Sequence, residues 1–137
     1  MIGVVGATGL VGLELKKYLD ASTDPREKVV KYFASQARPD EGILALESSW
    51  DALRACEFII NAATDETAHQ IRERLQPGQV LIDNSSAFRL DPDVPLVVPE
   101  VNGAQLSATS PVVANPMCTS FLLLISLLSL THIGVAR

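Results

Sequence analysis

The sequence predicts a doubly wound α/β fold on a mostly parallel sheet. Three observations carry that expectation. Short apolar runs of strand length alternate with helix-period stretches along the chain. A glycine loop joins the first apolar run to the first helix. Polar, hydroxyl-bearing segments follow the apolar runs, where open α/β sheets place their ligands. With 137 residues, 47% of them hydrophobic, the chain is long enough for one compact domain with a real core.

Ile2 to Val5 is the first buried parallel strand, and Gly6 to Gly12 follows at once. Leu10, Leu13, Leu15 and Leu19, with Glu14, Lys16 and Lys17 between them, form an amphipathic helix that Asp24-Pro25 breaks. Val29 to Ala34 is the second strand, completing a βαβ unit within about 30 residues. Pro39 to Gly42 is a turn, and Ile43 to Leu46 a short strand. Ser49 to Leu53 is a small helix, with Ser48 or Ser49 as its cap. Phe58 to Ala63 is a central strand. Thr64 to Thr67 opens a helix that runs to about Leu75 and stops before Pro77-Gly78. Val80 to Asp83 is a strand, Asp91 to Pro95 is turn-rich, and Leu96 to Pro99 is a short strand. Pro111 to Ala114 leads into Asn115-Pro116-Met117-Cys118, and Phe121 to Leu130 is a buried helix. Ile133 to Arg137 reads as the entry to a further strand.

Composition narrows the function. A net charge of -5 leaves no basic footprint for nucleic acid. Two distant cysteines lack both metal-ligand spacing and a disulfide framework, so no metal is expected and a reducing cytoplasm is the simplest compartment. No basic, signal-like N-terminal region precedes the first strand. The longest apolar run falls short of the roughly 20 residues that span a bilayer, so no membrane partner is expected.

The chemistry-bearing residues begin with Gly6-Ala7-Thr8-Gly9-Leu10-Val11-Gly12. Glycines here allow a tight turn and bring backbone N–H groups to a pyrophosphate at the helix N-terminus; the alternative is a tight turn without a ligand. At the end of the second strand, Ala34-Ser35-Gln36-Ala37-Arg38 holds no acid for ribose hydroxyls. Ser35 and Arg38 suit a 2′-phosphate and favour NADP, unless they are ordinary loop residues. Arg89, after the Val80–Asp83 strand, could grip a phosphate or carboxylate with its fork, or be a solvated loop arginine. Cys118 opens a helix, whose N-terminal partial charge favours the nucleophilic thiolate. Cys56 reads as an inert packed thiol, and His69 as a helical surface residue without a role.

Four stretches together resemble aspartate-semialdehyde dehydrogenase: Gly6 to Gly12, Asp83-Asn84-Ser85-Ser86-Ala87-Phe88-Arg89, Val97-Val98-Pro99-Glu100-Val101-Asn102, and Ala114-Asn115-Pro116-Met117-Cys118-Thr119. They follow the family's order and spacing. The two middle stretches separate it from the related N-acetyl-glutamyl-phosphate reductases. The resemblance implies a Rossmann-like NADP-binding domain over 1–117, with 118–137 beginning a catalytic and dimerisation domain that is cut short. It implies reductive dephosphorylation of β-aspartyl phosphate to aspartate semialdehyde through a cysteine thioester, in lysine, methionine and threonine biosynthesis. The full-length enzyme is then a cytoplasmic homodimer, and this chain alone is inactive.

By the same resemblance Cys118 is the nucleophile and Arg89 binds phosphate or the phosphoryl group. Gly6 to Gly12 holds the pyrophosphate, Ser35 with Arg38 meets the 2′-phosphate, and Thr64 lies near a cofactor-lining segment. Met117 stands where the family usually has a phosphate-binding Asn. His132 does not match the family's acid/base histidine. Two other readings stay open: a free-standing NADP-binding or regulatory module, and a related acyl-phosphate or semialdehyde reductase.

Overall fold

The computed structural model describes residues 1–24, 29–107 and 109–132, with the backbone alone for 129–132. Pro25 and the expected strand entry at 133–137 lie outside the described residues. Six strands form one sheet in the order β3-β2-β1-β4-β5-β6, every neighbouring pair parallel. The strands are β1 (Ile2–Val5), β2 (Val30–Ala34), β3 (Ile43–Ala45), β4 (Phe58–Asn61), β5 (Val80–Asp83) and β6 (Val112–Ala114). The helices are α1 (Leu10–Ala21), α2 (Trp50–Arg54), α3 (Asp65–Arg74), α4 (Pro99–Asn102) and α5 (Cys118–His132). The chain winds outward from β1 through β2 and β3, then returns to the other side of β1 for β4, β5 and β6. The reversal between β1 and β4 is the topological switch point, where such sheets bind ligands. The predicted doubly wound parallel sheet is therefore the observed one.

Alternating strand residues build a core on each face. Val5, Phe33, Ile59, Leu81 and Val112 pack with Leu53, Ile71 and Phe88 on the α2–α3 side. Val4, Tyr32, Ala34 and Ile43 pack with Leu19 of α1 on the other. Fully buried side chains such as Phe33 (0% exposed) and Leu81 (0%) each stabilise by about 1.5–3 kcal/mol. Tyr32 Oη donates to Asp20 Oδ1 at 2.7 Å, and the Lys16 ammonium sits 4.3 Å from the Tyr32 ring, so α1 is tied to β2 by polar contacts as well. Buried Gln79 donates its side-chain amide to the carbonyls of Leu53, Arg54 and Cys56, closing the C-terminal end of α2.

Several sequence expectations change. Leu96 to Pro99 is not a strand. Leu96 makes a single parallel bridge to Ala114, and Pro99 opens α4, where its missing N–H costs nothing. The lead-in Val112–Ala114 is the sixth strand. Of the expected apolar stripe on α1, Leu19 is buried while Leu10 is 84% exposed, because α1 begins at the rim of the sheet. Ser49 sits at the N-cap of α2 without a side-chain capping bond. Phe121 to Leu130 is helical, as expected, but no residue over 121–128 is buried: Leu122 is 65% and Leu123 60% exposed. Among the described residues no helix is long and apolar enough to cross a membrane.

Candidate active site

Two depressions lie along the C-terminal ends of the strands. The first is a groove of about 370 Å³ at the switch point, lined by Gly6, Thr8, Gly9, Ser35, Glu47 and Thr64 among others. The second is a cleft of about 770 Å³ between the segments after β5 and β6, α4 and the first turn of α5. Arg89 and Cys118 both line it, with Asn84 and Glu100; Val11, Met117 and Phe121 give it an apolar side.

The glycine loop is shaped by contact. Gly6 has φ 88°, a left-handed conformation that favours glycine, and an added Cβ would stand 2.6 Å from the Ala62 carbonyl carbon. Gly9 is the N-cap of α1 and has no side chain to cap it, and no acid stands in the first turn. The first-turn amides of a helix have no intrahelical partner. A bare helix start beside a cradle that a Cβ would fill therefore fits a pyrophosphate. Thr64 has a different local duty: its side chain accepts from Thr67 N at 3.3 Å and caps α3 at the groove wall.

The expected loop residues divide. Gly6, Thr8, Gly9, Ser35 and Thr64 line the groove. Ala7 is fully buried in the α1-side core, and Gly12 packs against the Gly6 backbone. Val11 faces the cysteine cleft instead, while Leu10 is exposed. Arg38 is not among the residues that line the groove with Ser35. Its backbone pairs with Ile43 and its guanidinium meets Glu41 at 3.3 Å, because the Pro39–Glu41 turn carries that acid back to it.

Arg89 is half-buried and held by two backbone carbonyls, through Nε to Asn115 O at 2.9 Å and Nη2 to Asn84 O at 2.8 Å. The loop that carries it is fastened to α3. Asp65 accepts from Ser86 N at 2.9 Å and Ser86 Oγ at 2.7 Å, and Arg72 meets Asp91 at 2.7 Å. Phe88 is buried, with the Arg72 guanidinium carbon 5.0 Å from its ring centroid and the His69 ring 5.0 Å away in a T-shaped contact. The Ser86 hydrogen bonds hold the Asp65 carboxyl below its ordinary pKa, and Arg72 does the same for Asp91.

Cys118 is exposed at the start of α5, whose first turn holds no acid. Cys56 is buried, and burial pushes its thiol pKa up, as an inert packed thiol requires. Asn102 accepts from Val98 N at 2.7 Å and donates to Leu96 O at 2.9 Å, folding the Leu96–Asn102 segment into one wall of the cleft. Sequence reasoning gave no role to Asn61, Asp83, Asn115 or Glu47. Asn61 and Asp83 are 0% exposed, and Asn61 Nδ2 donates to Asp83 Oδ1 at 2.7 Å. The available signal was a polar residue ending each of two apolar strands.

The match to known proteins follows this geometry. Residues 1–109 match the family model described as the NAD-binding domain of semialdehyde dehydrogenase. The aspartate-semialdehyde dehydrogenase of Synechocystis sp. is 34% identical over 132 residues, covering 89% of this chain and 38% of that protein. That of Aquifex aeolicus is 30% identical over 136 residues, covering 92% of this chain and 40% of that one. Aspartate semialdehyde dehydrogenase II of Vibrio cholerae, solved in complex with ASA, superposes with a TM-score of 0.69 at 29% identity, over 92% of this chain and 44% of that chain. The Candida albicans enzyme with NADP shares the fold, with a TM-score of 0.64 at 17% identity, over 98% of this chain and 47% of that one. The chain thus spans about 40% of the length of such relatives.

Proposed function

Because the chain belongs to the semialdehyde dehydrogenase family through its NAD-binding domain, we infer that it carries the cofactor groove and the nucleophile of an NADP-dependent aspartate-semialdehyde dehydrogenase. One observation supports this most: Arg89 and Cys118 share one cleft, and Val11, two residues after Gly9 of the glycine-loop groove, lines that cleft too.

In the phosphorylating direction the Cys118 thiolate adds to the aldehyde carbonyl carbon. The chemistry a bound nicotinamide supplies is the two-electron oxidation of that adduct to a thioester. Arg89, held by its two carbonyls, keeps N–H donors free for the attacking phosphate, whose oxygen takes the acyl group and releases the thiolate. Biosynthesis runs these steps in reverse. Gly6, Gly9 and the first turn of α1 hold the pyrophosphate, and Ser35 is the groove residue that meets the 2′-phosphate of NADP. Met117, 52% exposed in the cleft, offers no phosphate donor, which leaves that task to Arg89 here.

The same proposal includes the substrate pair, the lysine, methionine and threonine pathways, and a cytoplasmic homodimer in which 118–137 open the catalytic and dimerisation unit. The product of the complete reading frame should oxidise aspartate semialdehyde in a reaction needing both NADP and phosphate. Cys118→Ala should abolish it. Turnover that ignores phosphate, or survives loss of the cysteine, would sink this reading.

A further inference from the structure

Asparagine stands at the C-terminal end of three neighbouring strands: Asn61 ends β4, Asn84 follows β5 and Asn115 follows β6. Their backbones continue the sheet ladder, with Asn84 N donating to Asn61 O at 3.0 Å and Asn115 N to Asp83 O at 2.8 Å. Their side chains lay a second ladder over it. Asn84 Nδ2 donates to Asn61 O at 3.1 Å, and Asn115 Nδ2 donates to Asn84 Oδ1 at 2.6 Å. The ladder is rooted where buried Asn61 meets buried Asp83, whose other oxygen accepts from Ser85 Oγ at 2.7 Å.

Its far end is Arg89. The two carbonyls that hold the guanidinium belong to Asn84 and Asn115. Bonds from two different nitrogens fix both the plane and the roll of a planar fork. The Asn115 carbonyl belongs to a peptide that ends on Pro116 and has no N–H of its own to anchor it. Its direction therefore rests on the Asn115 amide bonds to Asp83 and Asn84. Asn84 donates through Nδ2 and accepts through Oδ1 at once, which an ionised carboxylate of the same shape does not do.

We propose that Asn84 and Asn115 are positioning residues: their side-chain amides set the two carbonyls that aim Arg89 at an oxyanion beside Cys118. The proposal rests on Arg89 as the anion-binding group of the proposed function. The ligand class is a phosphate or acyl-phosphate oxyanion, and inorganic phosphate is the probe.

The test uses nitrogen-15 spectra of the whole chain, with the Arg89 Nε–H signal assigned by its loss in Arg89→Lys. In the wild type that signal is sharp and protected from exchange, and it shifts as phosphate is added. In Asn115→Ala and in the isosteric Asn115→Asp, protection falls about tenfold and phosphate binds about fivefold more weakly, while NADP affinity stays within about twofold. Unchanged protection and phosphate affinity in both variants overturn the proposal. So does a parallel loss of NADP affinity, which marks a merely structural role. If neither variant folds, the wild type decides, because an unprotected Arg89 Nε–H overturns the proposal by itself. If Arg89→Lys leaves phosphate affinity intact, the anion-site reading fails, while the protection data still judge the ladder.

Discussion

Gly12 of α1 lies so close to Gly6 that an added Cβ would stand 2.1 Å from the Gly6 carbonyl oxygen and 2.7 Å from Ala7 Cα. Both neighbours are backbone, so nothing can swing aside. Gly12→Ala must push α1 away from the loop, and the helix start leaves the groove with it. The expected loss is about 1–3 kcal/mol of stability in denaturant unfolding. NADP affinity, measured calorimetrically, should fall by at least about tenfold. A variant that binds as tightly as wild type would show that the approach of α1 to β1 is not what holds the ligand.

Asp65 clamps the Arg89 loop to α3 through Ser86, and its carboxyl pKa is held below the ordinary value by those bonds. A depressed folded pKa means the clamp contributes fully above the unfolded value, about 4, and is lost as pH falls through the lower folded value. Asp91, lowered by Arg72, loosens over the same window. The protection factor of the Ser86 amide should therefore drop on acidification below about pH 4, and Asp65→Asn should flatten that response. A wild-type Ser86 amide whose protection ignores pH would show that Asp65 does not fasten the loop.

The fold was legible where local pattern and sheet position agree. Ile2–Val5 and Val80–Asp83 are apolar runs ended by a glycine or a polar residue and are strands where expected, and the strand expected over Phe58 to Ala63 is present but stops at Asn61. Gly6 was legible because a tight strand-to-helix turn restricts residue type there, and the structure places Gly9 in the groove and Arg89 with Cys118 in one cleft. What the sequence hid depends on tertiary partners. Nothing local says that Val112–Ala114 finds a β5 edge to pair with, or that Glu41 claims Arg38. The exposure of α5 was equally hidden, since an all-apolar helix looks the same in sequence whether its cover is present or not. Asn84 and Asn115 matter through hydrogen bonds to residues far off in the chain, which spacing does not reveal.

The two thiols should differ sharply in reactivity. Cys118 is exposed, whereas Cys56 is 1% exposed, its thiol pKa is raised by burial, and its sulfur faces Ala52 O at 3.6 Å. Iodoacetamide should label Cys118 in the folded chain and reach Cys56 only when the core opens. Peptide mass spectrometry across a denaturant series checks this. Comparable labelling of both at zero denaturant would mean the α2–β4 core is far less protected than its burial indicates.

The exposed leucines of α5 should matter to association rather than to stability. Leu122 is 65% and Leu123 60% exposed, so replacing both by Gln should change unfolding free energy by no more than about 0.5 kcal/mol. Leu81, at 0% exposure, sets the contrast: Leu81→Ala should cost about 2–5 kcal/mol. Light scattering against concentration should show less self-association in the Gln pair. A large loss of stability in that pair would mean the two leucines are covered in solution.

Glu47 should weigh on the choice between NADP and NAD. The pairing of Ala34 with Ala45 brings the ends of β2 and β3 side by side, so Ser35 and Glu47 line the same groove. A carboxylate there accepts hydrogen bonds from ribose hydroxyls and repels a 2′-phosphate. Arg38, the cation expected to meet the 2′-phosphate, is paired with Glu41. Glu47→Gln should then tighten NADP by about three- to tenfold at low salt and leave NAD within about twofold. Because Glu47 is exposed, the gain should shrink as added salt shortens the Debye length toward about 8 Å at physiological ionic strength. Arg38→Ala, by contrast, should move neither affinity by more than about twofold, since its guanidinium is already engaged elsewhere. Parallel titrations of the two cofactors on the three proteins separate the cases. NADP affinity that falls with Arg38→Ala and ignores Glu47→Gln would return the 2′-phosphate to the arginine and remove Glu47 from the site.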